Sequence, residues 1–193
     1  MNPKLLIFSG SIRPQSYNST LAKLAASIVS KHQCEATYVD LAEYKLPLFD
    51  QDLESKEGMP ENAKRLKELM VAHDGFIIAS PEYNSAITPL LKNTIDWASR
   101  AHTSDESPLK AYKGKFAFII AASPGALGGL RGLYMLRFIL QNIGVTVVPQ
   151  QLALIKAHEA FDDQGQLKDS KTASQLEGMI KDFILLVRKV KSL

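Results

Sequence analysis

Three short stretches of this sequence carry residue types that could do chemistry. The first is Ser9-Gly10-Ser11, followed by Arg13, Ser16, Tyr17 and Asn18. It offers hydroxyls, an amide, one guanidinium and free backbone N–H groups just ahead of an apolar-periodic segment. Such groups, placed at the positive end of a helix dipole, favour a bound anion, and a phosphate fits best. The stretch lacks the dinucleotide glycine pattern and the Gly-Lys-Ser/Thr ending of a nucleoside-triphosphate loop. Side chains rather than glycines would therefore build this anion site. The competing reading is a plain strand–helix turn capped by serine or asparagine. The second stretch, Pro81-Glu82-Tyr83-Asn84, joins a rigid proline to an aromatic ring and an amide. The third, Ser123-Pro124-Gly125 with Gly128-Gly129, has glycines that let the backbone approach a flat surface closely.

Other chemistries find little support. Cys34 is the single cysteine, so no intramolecular disulfide and no cysteine metal cluster can form. His32, His73, His102 and His158 are scattered without metal-ligand spacing, and no nucleophile–His–acid triad is visible. No metal and no proton-transferring catalytic side chain are expected. The net charge of +3 is too small to imply a nucleic-acid partner. A composition of 46% hydrophobic and 22% charged residues is that of an ordinary globular chain. Leu5–Phe8 is too short for a signal-peptide core, and no apolar run approaches the length of a bilayer span. The expectation is a soluble cytoplasmic protein forming one domain over residues 1–193.

The elements that must position the three stretches follow from hydrophobic periodicity. Leu5–Phe8, Glu35–Val39, Phe76–Ala79, Phe116–Ala122 and Val145–Val148 read as strands. Helical spacing appears after Asn18, after Pro60, from Thr88-Pro89, around Leu133–Leu140 and over Ser170–Val190. Residues Asp40–Met59 read as an irregular connection, Ser99–Lys113 as a polar one, and Leu152–Gly165 stays unassigned. Near-continuous apolar strands alternating with helices predict an α/β fold, a doubly wound parallel sheet covered on both faces. Such sheets bind ligands beyond the carboxyl ends of their strands, at a topological switch point. The three polar stretches follow strands one, three and four, which are neighbours in the strand order 2-1-3-4-5. Together they suit a planar ring with polar edges attached to a single phosphate, and FMN is such a molecule.

The motifs also carry a resemblance. Gly10-Ser11-Ile12-Arg13-Pro14-Gln15-Ser16-Tyr17-Asn18, Pro81-Glu82-Tyr83-Asn84, Leu91-Lys92-Asn93, Ile95-Asp96-Trp97 and Ser123-Pro124-Gly125 with Gly128-Gly129 occur in order over roughly residues 4–145. In this the chain resembles the NAD(P)H-dependent FMN reductase family, the flavodoxin-like quinone, azo and chromate reductases. The resemblance implies a flavodoxin-like five-stranded sheet and FMN as cofactor, with NADPH or NADH as co-substrate. It implies that Ser11, Arg13, Ser16, Tyr17 and Asn18 hold the FMN phosphate. Pro81, Glu82, Tyr83 and Asn84 would line the isoalloxazine, with the Glu82 carboxylate pointing away or across an interface. Ser123 and Gly125 would lie near its pyrimidine end, although Pro124 removes one N–H donor from that loop. It further implies a homodimer or homotetramer and small-molecule acceptors such as quinones, azo dyes, metal oxyanions or free flavin. Basic residues of Asp40–Gly58 and Ser99–Lys113 are the candidates for meeting a nicotinamide 2′-phosphate. A flavodoxin-like electron carrier and a flavin-dependent regulatory binding protein are the alternative functions.

Overall fold

The computed structural model describes residues 2–192. Its sheet has the order β2-β1-β3-β4-β5, all parallel. The strands are β1 (Lys4–Ser9), β2 (Glu35–Val39), β3 (Gly75–Ala79), β4 (Phe116–Ala122) and β5 (Thr146–Leu154). The helices are α1 (Tyr17–Ser30), α2 (Gln51–Glu57), α3 (Glu61–Ala72), α4 (Pro89–Ser99), α5 (Leu130–Asn142), α6 (Ala157–Ala160) and α7 (Ser170–Lys191). This is the doubly wound parallel sheet expected from the order of apolar runs, with the flavodoxin-like strand order that the resemblance implies. Alternation along each strand divides the core in two. Leu5, Ile7, Ile77 and Phe118 pack beneath α1 and α7. Leu6, Phe8, Phe76 and Ile78 pack beneath α3, α4 and α5. Among the described residues no helix is long and apolar enough to cross a membrane.

Two segments differ from the sequence expectation. β5 continues past Val148 to Leu154. Val147 pairs with Ala117 and Gln151 with Ile119, so Val148, Pro149 and Gln150 bulge opposite Phe118. The interruption Pro149-Gln150-Gln151 hides the strand, yet an edge strand tolerates a proline at a bulge. Arg137 of α5 holds the bulge, donating to the carbonyls of Val147 at 3.1 Å and Val148 at 2.8 Å.

The connection Asp40–Met59 is also more ordered than expected. It contains a 3-10 turn, Leu41–Glu43, and α2, capped by the Asp50 carboxylate on the N–H groups of Asp52 and Leu53. α2 buries no residue, so it leaves no apolar period to read. Two side chains of α4 fasten this connection. The Asn93 amide accepts from the Phe49 N–H at 2.7 Å and donates to the Pro47 carbonyl at 2.9 Å. The fully buried Trp97 donates to the same carbonyl at 2.8 Å, and Phe49 meets its ring edge-on.

Ser99–Lys113 runs from the end of α4 to the foot of the sheet, where Gly114 donates to Gly144 and Phe116 to Asp74 just before strands β5 and β3 begin. At its start Arg100 reaches the connection after β2, pairing with Glu54 of α2 at 2.8 Å. Lys67 anchors it from α3, donating to Glu106 at 2.7 Å and to the Arg100 carbonyl. Both charged side chains are nearly sealed from solvent. Burial alone would raise the Glu106 carboxyl. Its bonds to Lys67 and to the His102 N–H outweigh that and hold it below the usual carboxylate range. Breaking one side of a buried pair strands the other charge. Lys67→Met is expected to lower unfolding stability by about 3–5 kcal/mol in urea titration at neutral pH. Because the Glu106 pKa is depressed by folding, its contribution is present above the unfolded value and disappears as pH falls through the folded one. The difference between Lys67→Met and the parent should accordingly narrow in acid.

Candidate active site

The loops after β1 and β3 meet because the sheet changes direction between those strands. The Gly10 N–H donates to the Ala79 carbonyl at 2.9 Å, extending the ladder by one bond. Thr88, the N-cap of α4, donates its hydroxyl to the Gly10 carbonyl at 2.7 Å and accepts from the Leu91 N–H. A Cβ at Gly10 would stand 3.0 Å from Leu91 Cβ and 3.3 Å from Pro81 Cδ, so only glycine lets the two loops close this tightly. Between them lies a cleft of about 260 Å³, walled by residues 10–13, Tyr83 and residues 88–90.

The first loop presents an open helix end. Ser16 caps α1, its hydroxyl accepting from the Ser19 N–H at 3.3 Å. The Ser19 hydroxyl donates back to the Ser11 carbonyl, and the Ser11 hydroxyl accepts from the Arg13 N–H. First-turn N–H groups have no partner within their own helix, which leaves those of Tyr17 and Asn18 facing outward. No acidic side chain occupies that first turn to neutralise the dipole. Arg13 is exposed, lies over the Tyr17 ring at 5.5 Å, and has no carboxylate partner among the described residues. Asn18 behaves differently from its neighbours. Its buried amide donates to the Ala122 carbonyl at 2.8 Å and accepts from the Ala122 N–H at 3.0 Å. The side chain is thus a tie between α1 and the end of β4, and only its backbone N–H is left for a ligand.

The second loop is a tight hairpin turn. Tyr83 and Ala86 exchange both backbone hydrogen bonds at 3.0 Å. Asn84 and Ser85 between them have positive φ, as the paired left-handed turn requires. The turn leaves Tyr83 58% exposed at the cleft. Glu82 points away from the cleft. Its carboxylate takes the Arg131 guanidinium at 2.6 Å and 2.8 Å and the Gly132 N–H at 3.2 Å, capping the first turn of α5.

The third loop is tied to the strand beside it. The Ser123 N–H donates to Leu154, its carbonyl accepts from Ala157, and its hydroxyl accepts from the Gly125 N–H at 3.2 Å. Gly128 has φ +62, and a Cβ there would stand 2.6 Å from the Ala153 carbonyl carbon. Ser123 and Gly125 are not among the walls of the cleft. The helix that follows it, α5, is joined to the Tyr83 turn by Glu82.

Three contributors carry little sequence signal. Thr88 reads only as a helix start. Arg131, which answers Glu82, reads as an unremarked surface cation. Ser9 is buried with a hydroxyl that has no hydrogen-bond partner. Its one signal is a polar residue on the strand face shared by Leu5 and Ile7. Another cleft, of about 200 Å³, lies at the foot of the sheet beside Phe116 and Val187. Two of its three lysines are engaged: Lys191 pairs with Asp74 of the same cleft at 2.7 Å, and Lys115 donates to the Val71 and His73 carbonyls.

Comparison with known proteins shows the family. The sequence model of the family described as NADPH-dependent FMN reductase matches residues 3–159. The chain belongs to that family. It is 34% identical over 190 residues to the NAD(P)H-dependent FMN reductase PA1204 of Pseudomonas aeruginosa, covering 97% of both chains. It is 30% identical over 195 residues to a quinone reductase of Escherichia coli, covering 99% of this chain and 100% of that one. Among solved structures it is similar to the Paracoccus denitrificans flavoenzyme NAD(P)H:(acceptor) oxidoreductase FerB, with a TM-score of 0.81 at 29% identity. That likeness covers 97% of this chain and 98% of FerB.

The residues present fit the family's cofactor. The loop at one end of the cleft carries a free guanidinium and leads into an uncompensated helix N-terminus, as a phosphoester needs. The tie made by Asn18 separates structure from binding. Asn18→Ala strands a buried N–H and a buried carbonyl at Ala122. It is expected to lower the stability of the flavin-free protein by about 2–3 kcal/mol in urea unfolding.

Proposed function

We infer that this chain is an NAD(P)H-dependent FMN reductase that delivers electrons to quinone-type small molecules. The observation that carries the reading is the cleft itself. One end offers an unneutralised helix terminus and a free guanidinium, and the other an exposed aromatic ring on a rigid turn. The near-full-length likeness to reductases supports the redox chemistry.

On this reading Arg13, the Ser11 hydroxyl and the N–H groups of Tyr17 and Asn18 hold the FMN phosphate, with Ser16 fixing the turn that presents them. The backbone of Pro81–Asn84 runs along the ring, and Ser123 and Gly125 close its far edge. Bound FMN supplies hydride acceptance from a nicotinamide and two-electron delivery to an acceptor. The protein's part is to bind, orient and exclude water. Glu82 contributes by directing its charge into Arg131 and α5, so that no bare carboxylate faces the site. Tyr83 offers a flat apolar surface for a nicotinamide or a quinone. Ile12, also exposed, adds to the apolar rim. Direct hydride transfer needs no side-chain acid or base.

Self-association completes the proposal. Tyr134, Met135 and Phe138 form an exposed apolar strip on α5, the helix that Glu82 caps. An apolar strip of this kind marks an interaction surface, and we assign it to a homodimer or homotetramer. Sedimentation of the Tyr134→Glu, Phe138→Glu double variant should show smaller species than the parent.

Two measurements test the chemistry. Anaerobic NADPH added to the FMN-loaded protein should bleach its visible absorbance within seconds, whereas an electron carrier without a nicotinamide site would keep its colour. Arg13→Ala removes a charge-assisted phosphate contact and should weaken FMN binding roughly ten- to hundredfold. Riboflavin, which lacks the phosphate, should bind both proteins alike in fluorescence titrations. Equal FMN affinity for parent and variant would remove Arg13 from the site.

A further inference from the structure

We propose that the cleft at the foot of the sheet is a second binding site, one for a small carboxylate that carries an apolar body. It lies where β3 and β4 begin, at the opposite end of the strands from the cleft walled by Arg13 and Tyr83. Asp74 immediately precedes β3, and residues 113–116 lead into β4. Val187, Val190 and Lys191 close the cleft from the last turns of α7, where their spacing puts all three on one helix face. Gly114 turns the chain with φ +77, and a Cβ there would meet nothing within 4 Å. The space beside that turn is therefore open to a ligand.

Lys113, Lys115 and Lys191 face a single carboxylate in this lining, so two positive charges have no carboxylate partner there. That carboxylate is already satisfied: Asp74 accepts from the Lys4 N–H and from Lys191 Nζ, each at 2.7 Å. The negative helix ends nearby are answered as well. Lys115 donates to the Val71 and His73 carbonyls at the end of α3, and Arg188, Lys189 and Lys191 stand in the last turn of α7. Lys113 is exposed, its stem lies over Gly144, and its ammonium has no partner among the described residues. Burial depresses the Lys115 ammonium, with Asp74 opposing and Lys191 adding to the effect. A bound anion would supply the charge that both lysines lack. The remaining wall is apolar, made by Phe116, Val187 and Val190. An inorganic anion would leave that wall against water, and a neutral apolar molecule would leave the ammonium groups unmet. A carboxylate on a ring or a short alkyl chain answers both, and a volume of about 200 Å³ limits it to the size of a single ring.

Benzoate is the probe, titrated onto the full chain in the presence of excess FMN, with backbone amide NMR shifts as the readout. The shifts locate the binding directly, so the result does not depend on where FMN sits. Benzoate, raised to about 20 mM to reach weak small-ligand affinities, should shift the amides of residues 114–116 and 187–191. Benzamide has the ring without the charge and acetate the charge without the ring, and each should shift these amides far less. Lys113→Gln should weaken benzoate binding about fivefold, the loss of one exposed ionic contact. Added salt should weaken it in the parent. Val190→Asp sets a carboxylate into the apolar wall at a position 41% exposed, and should abolish the shifts. The proposal is overturned if benzoate leaves these amides unmoved, or if benzamide or acetate shifts them as strongly. Undiminished benzoate binding in Lys113→Gln and Val190→Asp would overturn it too.

Discussion

The structure depends on the divergence of the chain at β1 and β3. From β1 the chain moves outward to β2, then returns across β1 to lay down β3 on its other side. The helices leaving the two central strands consequently cover opposite faces, α1 on one and α4 on the other. Their loops separate above the sheet and leave a crevice that no local sequence choice could fill. The Thr88–Gly10 hydrogen bond limits how far the loops part. The result is a slot with a helix N-terminus at one end.

Much of the polar chemistry around that slot maintains its shape. Asn18 ties α1 to β4, Glu82 ties the Tyr83 turn to α5, and Asn93 with Trp97 ties the chain after β2 to α4. Each side chain satisfies backbone groups that would otherwise be buried without partners. What remains for a ligand is mainly backbone N–H, one guanidinium and small hydroxyls. Groups of this kind suit an anionic, flat cofactor that carries the electron chemistry itself.

The sheet order and the meeting of the first two polar stretches above it were legible because apolar runs and polar stretches alternate so regularly. Leu5–Phe8 and Phe76–Ala79 have no competing reading, and the polar residues behind them mark strand ends. The individual roles were harder to read. Asn18 and Glu82 are polar residues in polar stretches, and only the fold brings Ala122 to one and Arg131 to the other. The extension of β5 was hidden because the bulge at Val148–Gln150 breaks the period and is repaired by Arg137 from another element. α2 was hidden because it buries nothing.

One measurement reaches the assignment of the phosphate to α1 directly. A crystal structure of the protein with FMN should place the phosphate over the first turn of α1, within hydrogen-bond distance of Arg13. The ring should then lie along Pro81–Asn84. A flavin seated in the lysine-lined cleft at the foot of the sheet, or one whose phosphate projects into solvent away from α1, would contradict it.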